Sequence, residues 1–138
     1  ANFVDELSDG LIDAHLEHGP KVPVVQSAMH IHPINGAVHQ VKAEATAFGH
    51  RDANFATVIA GMWPEPKDNE ANIKWVRDYY EATAPFSRDG GYINFQSAED
   101  ADNAEKNYGA TYTRLADIKK KYDPDNLFRM NQNIKPTA

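Results

Sequence analysis

Two histidines, His30 and His32, stand two apart, so on a strand both project from one face. Such a pair can hold a metal ion when a third ligand approaches. No carboxylate or further histidine stands at a supporting spacing, so no metal site is expected, and the pair reads as a polar sheet face meeting solvent or a ligand cavity. His15 and His18 lie three apart near a helix end, where a positive charge suits the helix dipole. Tyr92 and Asn94 alternate within Tyr92-Ile93-Asn94-Phe95 and would share a strand face. A hydroxyl beside an amide can hydrogen-bond a planar polar ligand, or simply pair with water. The closing stretch offers a helix stop at Asp123-Pro124, then a Leu127-Phe128 anchor, then three amides, Asn131, Gln132 and Asn133. Amides in a row on irregular chain are costly unless they bond something.

Other chemistries are missing from the sequence. There is no Gly-x-Ser-x-Gly, no phosphate-cradling glycine loop and no carboxylate pair in an apolar setting. Glu99, Asp100, Asp102 and Glu105 form an acidic run, which suits a helix N-terminus better than the strict ligand order of a calcium loop. With no cysteine, the chain has no disulfide, thiolate ligand or thiol nucleophile.

These residues need a frame. Phe3, Val4, Leu7, Leu11, Ile12 and Leu16 recur at helical spacing, predicting a first helix that ends at Gly19-Pro20. Val22 to His32 reads as a strand with Gln26, His30 and His32 on one face, and Asn35-Gly36 as a hairpin turn to a partner strand over Ala37–Val41. Asn54 to Trp63 is apolar on both faces, which predicts a strand inside the sheet. Asp68 caps a second helix with a stripe of Ile73, Val76, Tyr79, Tyr80 and Thr83, bordered by Trp75, that stops at Pro85. Tyr92 to Gln96 reads as a short strand. A third helix covers about Ala101 to Tyr122, weakened at Gly109, with Lys119, Lys120 and Lys121 in its last turn. The order predicts an α+β fold, one antiparallel sheet with helices on one face.

The 138 residues suit one ordinary domain, 41% hydrophobic and 25% charged. A net charge of −6 argues against nucleic acid and against a polybasic membrane surface. No apolar run reaches the roughly 20 residues of a membrane span, and the first residues lack signal-peptide order, so a cytoplasmic location is expected. An alanine start directly in a helical pattern is what a truncated or processed chain looks like, although methionine removal gives the same result.

The closing stretch resembles the end of the berberine-bridge-enzyme-like flavoproteins, which finish with a helix, Tyr-Asp-Pro-x-Asn-x-Phe and then Gln-x-Ile. Here these are Tyr122, Asp123, Pro124, Asn126, Phe128, Gln132 and Ile134. Tyr92, Asn94 and Phe95 resemble the family's Tyr-x-Asn-aromatic. Thr46-Ala47-Phe48-Gly49-His50-Arg51 resembles its Thr-Ala-Phe-Pro-His-Arg, with glycine for proline. Ile34 to Val38 and Trp75-Val76-Arg77 match less specific motifs. The resemblance spans about Val24 to Pro136.

The resemblance implies the C-terminal part of a larger flavoenzyme. Residues 1–100 would be the C-terminal part of a substrate-binding domain. Residues 101–138 would be the closing helix and tail that return to an N-terminal FAD-binding domain, which lies outside this sequence. FAD is the implied cofactor, and Tyr92, Asn94 and Asn131 the implied flavin contacts. The implied reaction is hydride transfer from a small organic substrate to flavin by an oxidase or dehydrogenase, with the isolated chain inactive. Gln26, His30 and His32 would line the substrate side. Phe95 departs from the family, many of whose members carry a tyrosine base there, and a phenyl ring accepts no proton. The base is therefore open, with His30 and His32 as candidates, or the substrate needs none. The residues alone also fit a standalone α+β ligand-binding or assembly domain without catalysis. A segment that normally packs on another domain would expose apolar surface, which favours a homo-oligomer.

Overall fold

The computed structural model describes residues 1–96, 103–130 and 132–137. The fold is α+β, and the chain divides into two compact units, each made of two stretches: residues 1–33 with 54–88, and residues 34–53 with 89–138.

The first unit holds the sheet. The apolar run becomes β3 (Phe55–Ala60), the central strand, flanked antiparallel by β1 (Asn2–Val4) and β2 (Ala28–Pro33). In register, Phe3 lies opposite Ala56 and His30 opposite Val58. The double-sided apolar pattern thus reported a strand paired on both edges. Three expectations fail here. Phe3 and Val4 belong to β1 rather than to a helix, because a three-residue strand buried on both sides is too short to show its own period. The strand expected from Val22 begins only at Ala28. Pro23 cannot donate to a ladder, and Ser27 Oγ instead bonds both the carbonyl (3.2 Å) and the amide (2.9 Å) of Met62. The hairpin partner is absent too: β2 pairs with β3, and residues 37–40 are helical.

Helix α1 (Asp9–His18) starts where Ser8 Oγ accepts the Leu11 amide at 3.4 Å. Helix α3 (Asn69–Thr83) packs on α1 and on β3. Its buried face is Asn72, Trp75, Tyr79 and Thr83, rotated from the expected stripe, and Ile73 and Tyr80 are largely exposed. Polar bonds decide the rotation. Trp75 Nε1 donates to the His18 carbonyl at 2.9 Å, and Asn72 Nδ2 donates to the Asp68 carbonyl at 2.8 Å. Tyr79 is fully buried against His15, with 2.8 Å between its hydroxyl and His15 Nδ1. Burial pushes the Tyr79 phenol up and holds His15 below the ordinary histidine value, so both are neutral near pH 7.

The second unit is made of short helices and turns: α2 (Ala37–Gln40), α4 (Ala104–Tyr108) and α5 (Tyr112–Tyr122). Helices α4 and α5 are one expected helix broken by Gly109, whose φ of +52° admits a left-handed backbone. The expected start at Ala101 lies outside the described residues. The expected strand Tyr92–Gln96 is instead a 3-10 turn over Ile93–Phe95, for the Gly91 amide bonds a side chain rather than a neighbouring strand. Among the described residues no helix is long and apolar enough to cross a membrane.

Candidate functional site

Two motifs distant in sequence meet in the second unit. The 47–51 segment and the 91–94 turn line one cavity of about 240 Å³, with Asn107 and Tyr108 of α4 as a further wall. Phe48 meets Tyr92 edge to face, with ring centroids 6.0 Å apart, and Phe95 meets Tyr92 likewise at 5.1 Å. The Arg51 guanidinium lies over the Phe48 ring at 5.0 Å and donates to Thr46 Oγ1 at 2.7 Å. His50 Nε2 is 3.0 Å from the Asn107 carbonyl, which can only accept, so this nitrogen carries the proton. Glycine at position 49 is compatible with this packing: a Cβ there would sit 3.4 Å from the Tyr108 carbonyl. Burial pushes the Tyr108 phenol up. His50 and Tyr108 also border a second cavity of about 390 Å³ that reaches Glu44 and Arg114.

Tyr92 and Asn94 stand together, although on a turn and not a strand. Asn94 Nδ2 donates to the Tyr92 hydroxyl at 2.8 Å. The hydroxyl proton then remains to donate, and Asn94 Oδ1 to accept. The pair offers one donor and one acceptor at the rim of an aromatic-walled cavity, which fits the alternating carbonyl and N–H edge of an isoalloxazine ring. Phe95 is 50% exposed and carries no proton acceptor. Asn131 lies outside the described residues.

His30 and His32 are exposed on β2, their rings stacked at 5.7 Å and 15°. They belong to the first unit, and Tyr92 and Asn94 to the second. Gln26 is exposed just before the strand. Among the described residues, no cluster of three or more histidine, aspartate or glutamate side chains could hold a metal ion.

The closing motif has a mechanical reason in the structure. After α5 ends, Asp123 Oδ1 accepts the Leu127 amide at 2.7 Å and Oδ2 the Phe128 amide at 3.0 Å. Lys119 pairs with Asp123 and also donates to the Phe128 carbonyl. Lys119, opposed by burial and helped by the two amides, holds the Asp123 carboxyl below its usual range. Asn126 takes a φ of +52°, which asparagine tolerates. So each polar residue of Asp-Pro-x-Asn shapes a turn. The expected Leu127-Phe128 anchor is not one within its own unit, since these side chains are 74% and 78% exposed, and Met130 85%. Sequence reasoning missed Asn107, a buried polar residue inside a helical pattern, which has no motif to announce it.

The family described as berberine and berberine-like matches residues 91–135, which include the Tyr92–Asn94 turn and the whole closing motif. Berberine bridge enzyme-like C-1 of Nicotiana tabacum is 33% identical over 94% of this chain, which covers 28% of that protein. The uncharacterized FAD-linked oxidoreductase YgaK of Bacillus subtilis is 30% identical over 96% of the chain, covering 29% of that protein. Among solved structures, the glycopeptide hexose oxidase DBV29 complexed with teicoplanin aligns over 98% of the chain with a TM-score of 0.84 and 26% identity, and 31% of it is covered. The fold also matches BBE-like 28 from Arabidopsis thaliana, with a TM-score of 0.81 at 21% identity. The chain thus spans about a third or less of the length of these relatives. In its closing segment, its turn and its fold the chain is thus similar to the berberine-bridge-enzyme-like FAD-linked oxidoreductases, of which it matches a C-terminal portion.

Proposed function

We propose that the chain works as the C-terminal part of an FAD-dependent oxidoreductase in the cytoplasm. Residues 1–100 would belong to its substrate-binding domain and residues 101–138 to the closing segment that meets the FAD-binding domain. The observation that carries this reading is the Tyr92–Asn94 pair, set by Phe48 and His50 at the rim of an aromatic cavity. Tyr92 would donate to, and Asn94 accept from, the polar edge of the flavin ring, with Asn131 as a further contact. FAD, when bound, supplies the two-electron acceptor for a hydride from a small organic substrate. The chain's own residues bind and orient the ring.

The exposed Tyr122, Leu127, Phe128 and Met130 supply apolar surface for the FAD-binding domain, or for a second copy where that domain is missing. Proton removal from a substrate hydroxyl would fall to His30 or His32, since Phe95 cannot do it. If alcohols are oxidised at full rate after both histidines become alanine, the histidine role is lost. The flavin reading is tested in the flavoprotein that carries this chain. Asn94→Leu and Tyr92→Phe should each weaken flavin retention through gel filtration, read from flavin absorbance. Retention equal to wild type in both would contradict it.

A further inference from the structure

The turn that carries Tyr92 and Asn94 is held at both ends by one side-chain oxygen. Asn107 Oδ1 accepts the Gly91 amide at 2.9 Å, immediately before the turn, and the Gln96 side-chain amide at 3.4 Å, immediately after it. The Asn107 backbone carbonyl accepts His50 Nε2 at 3.0 Å, which ties in the 47–51 segment. So one residue of α4 reaches both parts of the cavity wall. Asn107 is only 5% exposed, and the Gly91 bond is buried. Its Nδ2, also buried, has no acceptor among the described residues. The Gly91 amide fixes which way the side chain points, because an N–H can be met only by the oxygen. The orphaned Nδ2–H is the cost of that orientation.

The backbone is shaped for the same approach. Gly90 has a φ of +79°, and a Cβ there would collide with the Lys106 carbonyl. Only glycine lets the chain come this close to α4 before turning into Tyr92. In a unit with no sheet among its described residues, these contacts stand in for the ladder that a strand would have used.

We infer that Asn107 is the positioning residue of the Tyr92–Asn94 turn; its bearing on flavin rests on the function proposed above. It touches no reacting group itself. It fixes the direction in which the Tyr92 hydroxyl and the Asn94 amide face the cavity.

The test compares Asn107→Leu, which removes the acceptor, with Asn107→Asp, which keeps an oxygen for Gly91 and removes the orphaned donor. Gly90→Ala supplies a second route to the same disruption, without touching Asn107. In the isotope-labelled full chain, Asn107→Leu and Gly90→Ala should each speed amide exchange at Gly91 at least tenfold. Both should also shift the Asn94 side-chain amide. Asn107→Asp should keep the Gly91 amide protected. Unchanged resonances of Leu11 and Tyr79 confirm in each case that the first unit is folded. Riboflavin is the ligand probe: its shift of the Asn94 amide should weaken at least fivefold in Asn107→Leu and persist in Asn107→Asp. Wild-type exchange at Gly91 in Asn107→Leu would overturn the inference, as would an Asn107→Asp chain that behaves like Asn107→Leu. If riboflavin leaves Asn94 unshifted in the wild type, the flavin reading falls, while Gly91 exchange still decides the role of Asn107 in the turn.

Discussion

The two units solve the folding problem in different ways. The first buries large side chains. Among the described residues, the largest fully buried ones, Tyr79, Phe3, Leu11, Val4, Asn72 and Thr83, are all in it. Its backbone polar groups are met by helices and a three-stranded sheet. The second buries small and polar residues, Ala53, Ala104, Ala116, Asn107 and Thr111. Its turns are tied by side chains: Asn107 holds one, Asp123 another, and Thr111 bonds the carbonyl of Ala47 or Tyr108. Its large apolar groups, such as Leu127 and Phe128, point outward. Apolar burial and side-chain-tied turns are thus separated between the two units. Apolar burial supplies most of a fold's stability. A unit that spends its polar groups on turns keeps cavities and an exposed edge for something else.

This contrast can be broken by substitution. Leu11→Ala in the first unit should cost about 2–5 kcal/mol, because a fully buried side chain leaves a cavity. Phe128→Ala in the second should change stability by no more than about 0.5 kcal/mol, since the ring is mostly in water. Urea unfolding of the two variants checks both, and similar costs would erase the distinction.

A pH titration sharpens it. His15 is held below the ordinary histidine value by burial beside Tyr79. The unfolded chain therefore takes up a proton more readily than the folded one. Stability should be full above the ordinary histidine value and fall as the pH drops below it. His15→Gln should flatten that part of the melting-temperature profile. An unchanged slope would assign the loss to other groups.

In the second unit the smallest effect is at Asp123, whose carboxyl is held below its usual range, by Lys119 first. Its grip on the Leu127 and Phe128 amides should persist through neutral and mildly acid pH. It should fail only as the pH falls through that lowered value. The proton shifts of the two amides report it directly. Movement near the ordinary aspartate value would mean that the clasp is weak in solution.

The same division explains what was legible in the sequence. In the first unit, the apolar run at Phe55–Ala60 and the body of the first helix with its stop at Gly19-Pro20 were readable, though not its start at Ser8, because regular structure writes its period into the residues. The face of α3 was not, since single hydrogen bonds from Trp75 and Asn72 turned it. In the second unit, periodicity misled. Tyr92–Gln96 alternates like a strand, but among the described residues no strand pairs with it and Asn107 supplies the bond instead. The break at Gly109 was visible as a weak point, yet its left-handed backbone was not. The Tyr92–Asn94 pair was found by residue type, alternation and a family motif, although the alternation belongs to a turn, and its neighbours Phe48 and His50 only by a motif whose contact with it no spacing could show.

Whether Tyr92 and Asn94 face a flavin edge is read by titrating the isotope-labelled chain with riboflavin and following every side-chain amide and every histidine and tyrosine ring. Saturable shifts are expected at the Asn94 amide and the Tyr92 ring, with the Asn131 amide following, and no shift at His15 or Tyr79 in the closed core of the first unit. Shifts confined to the first unit, or none at Asn94 and Tyr92 up to the solubility limit of riboflavin, would contradict it.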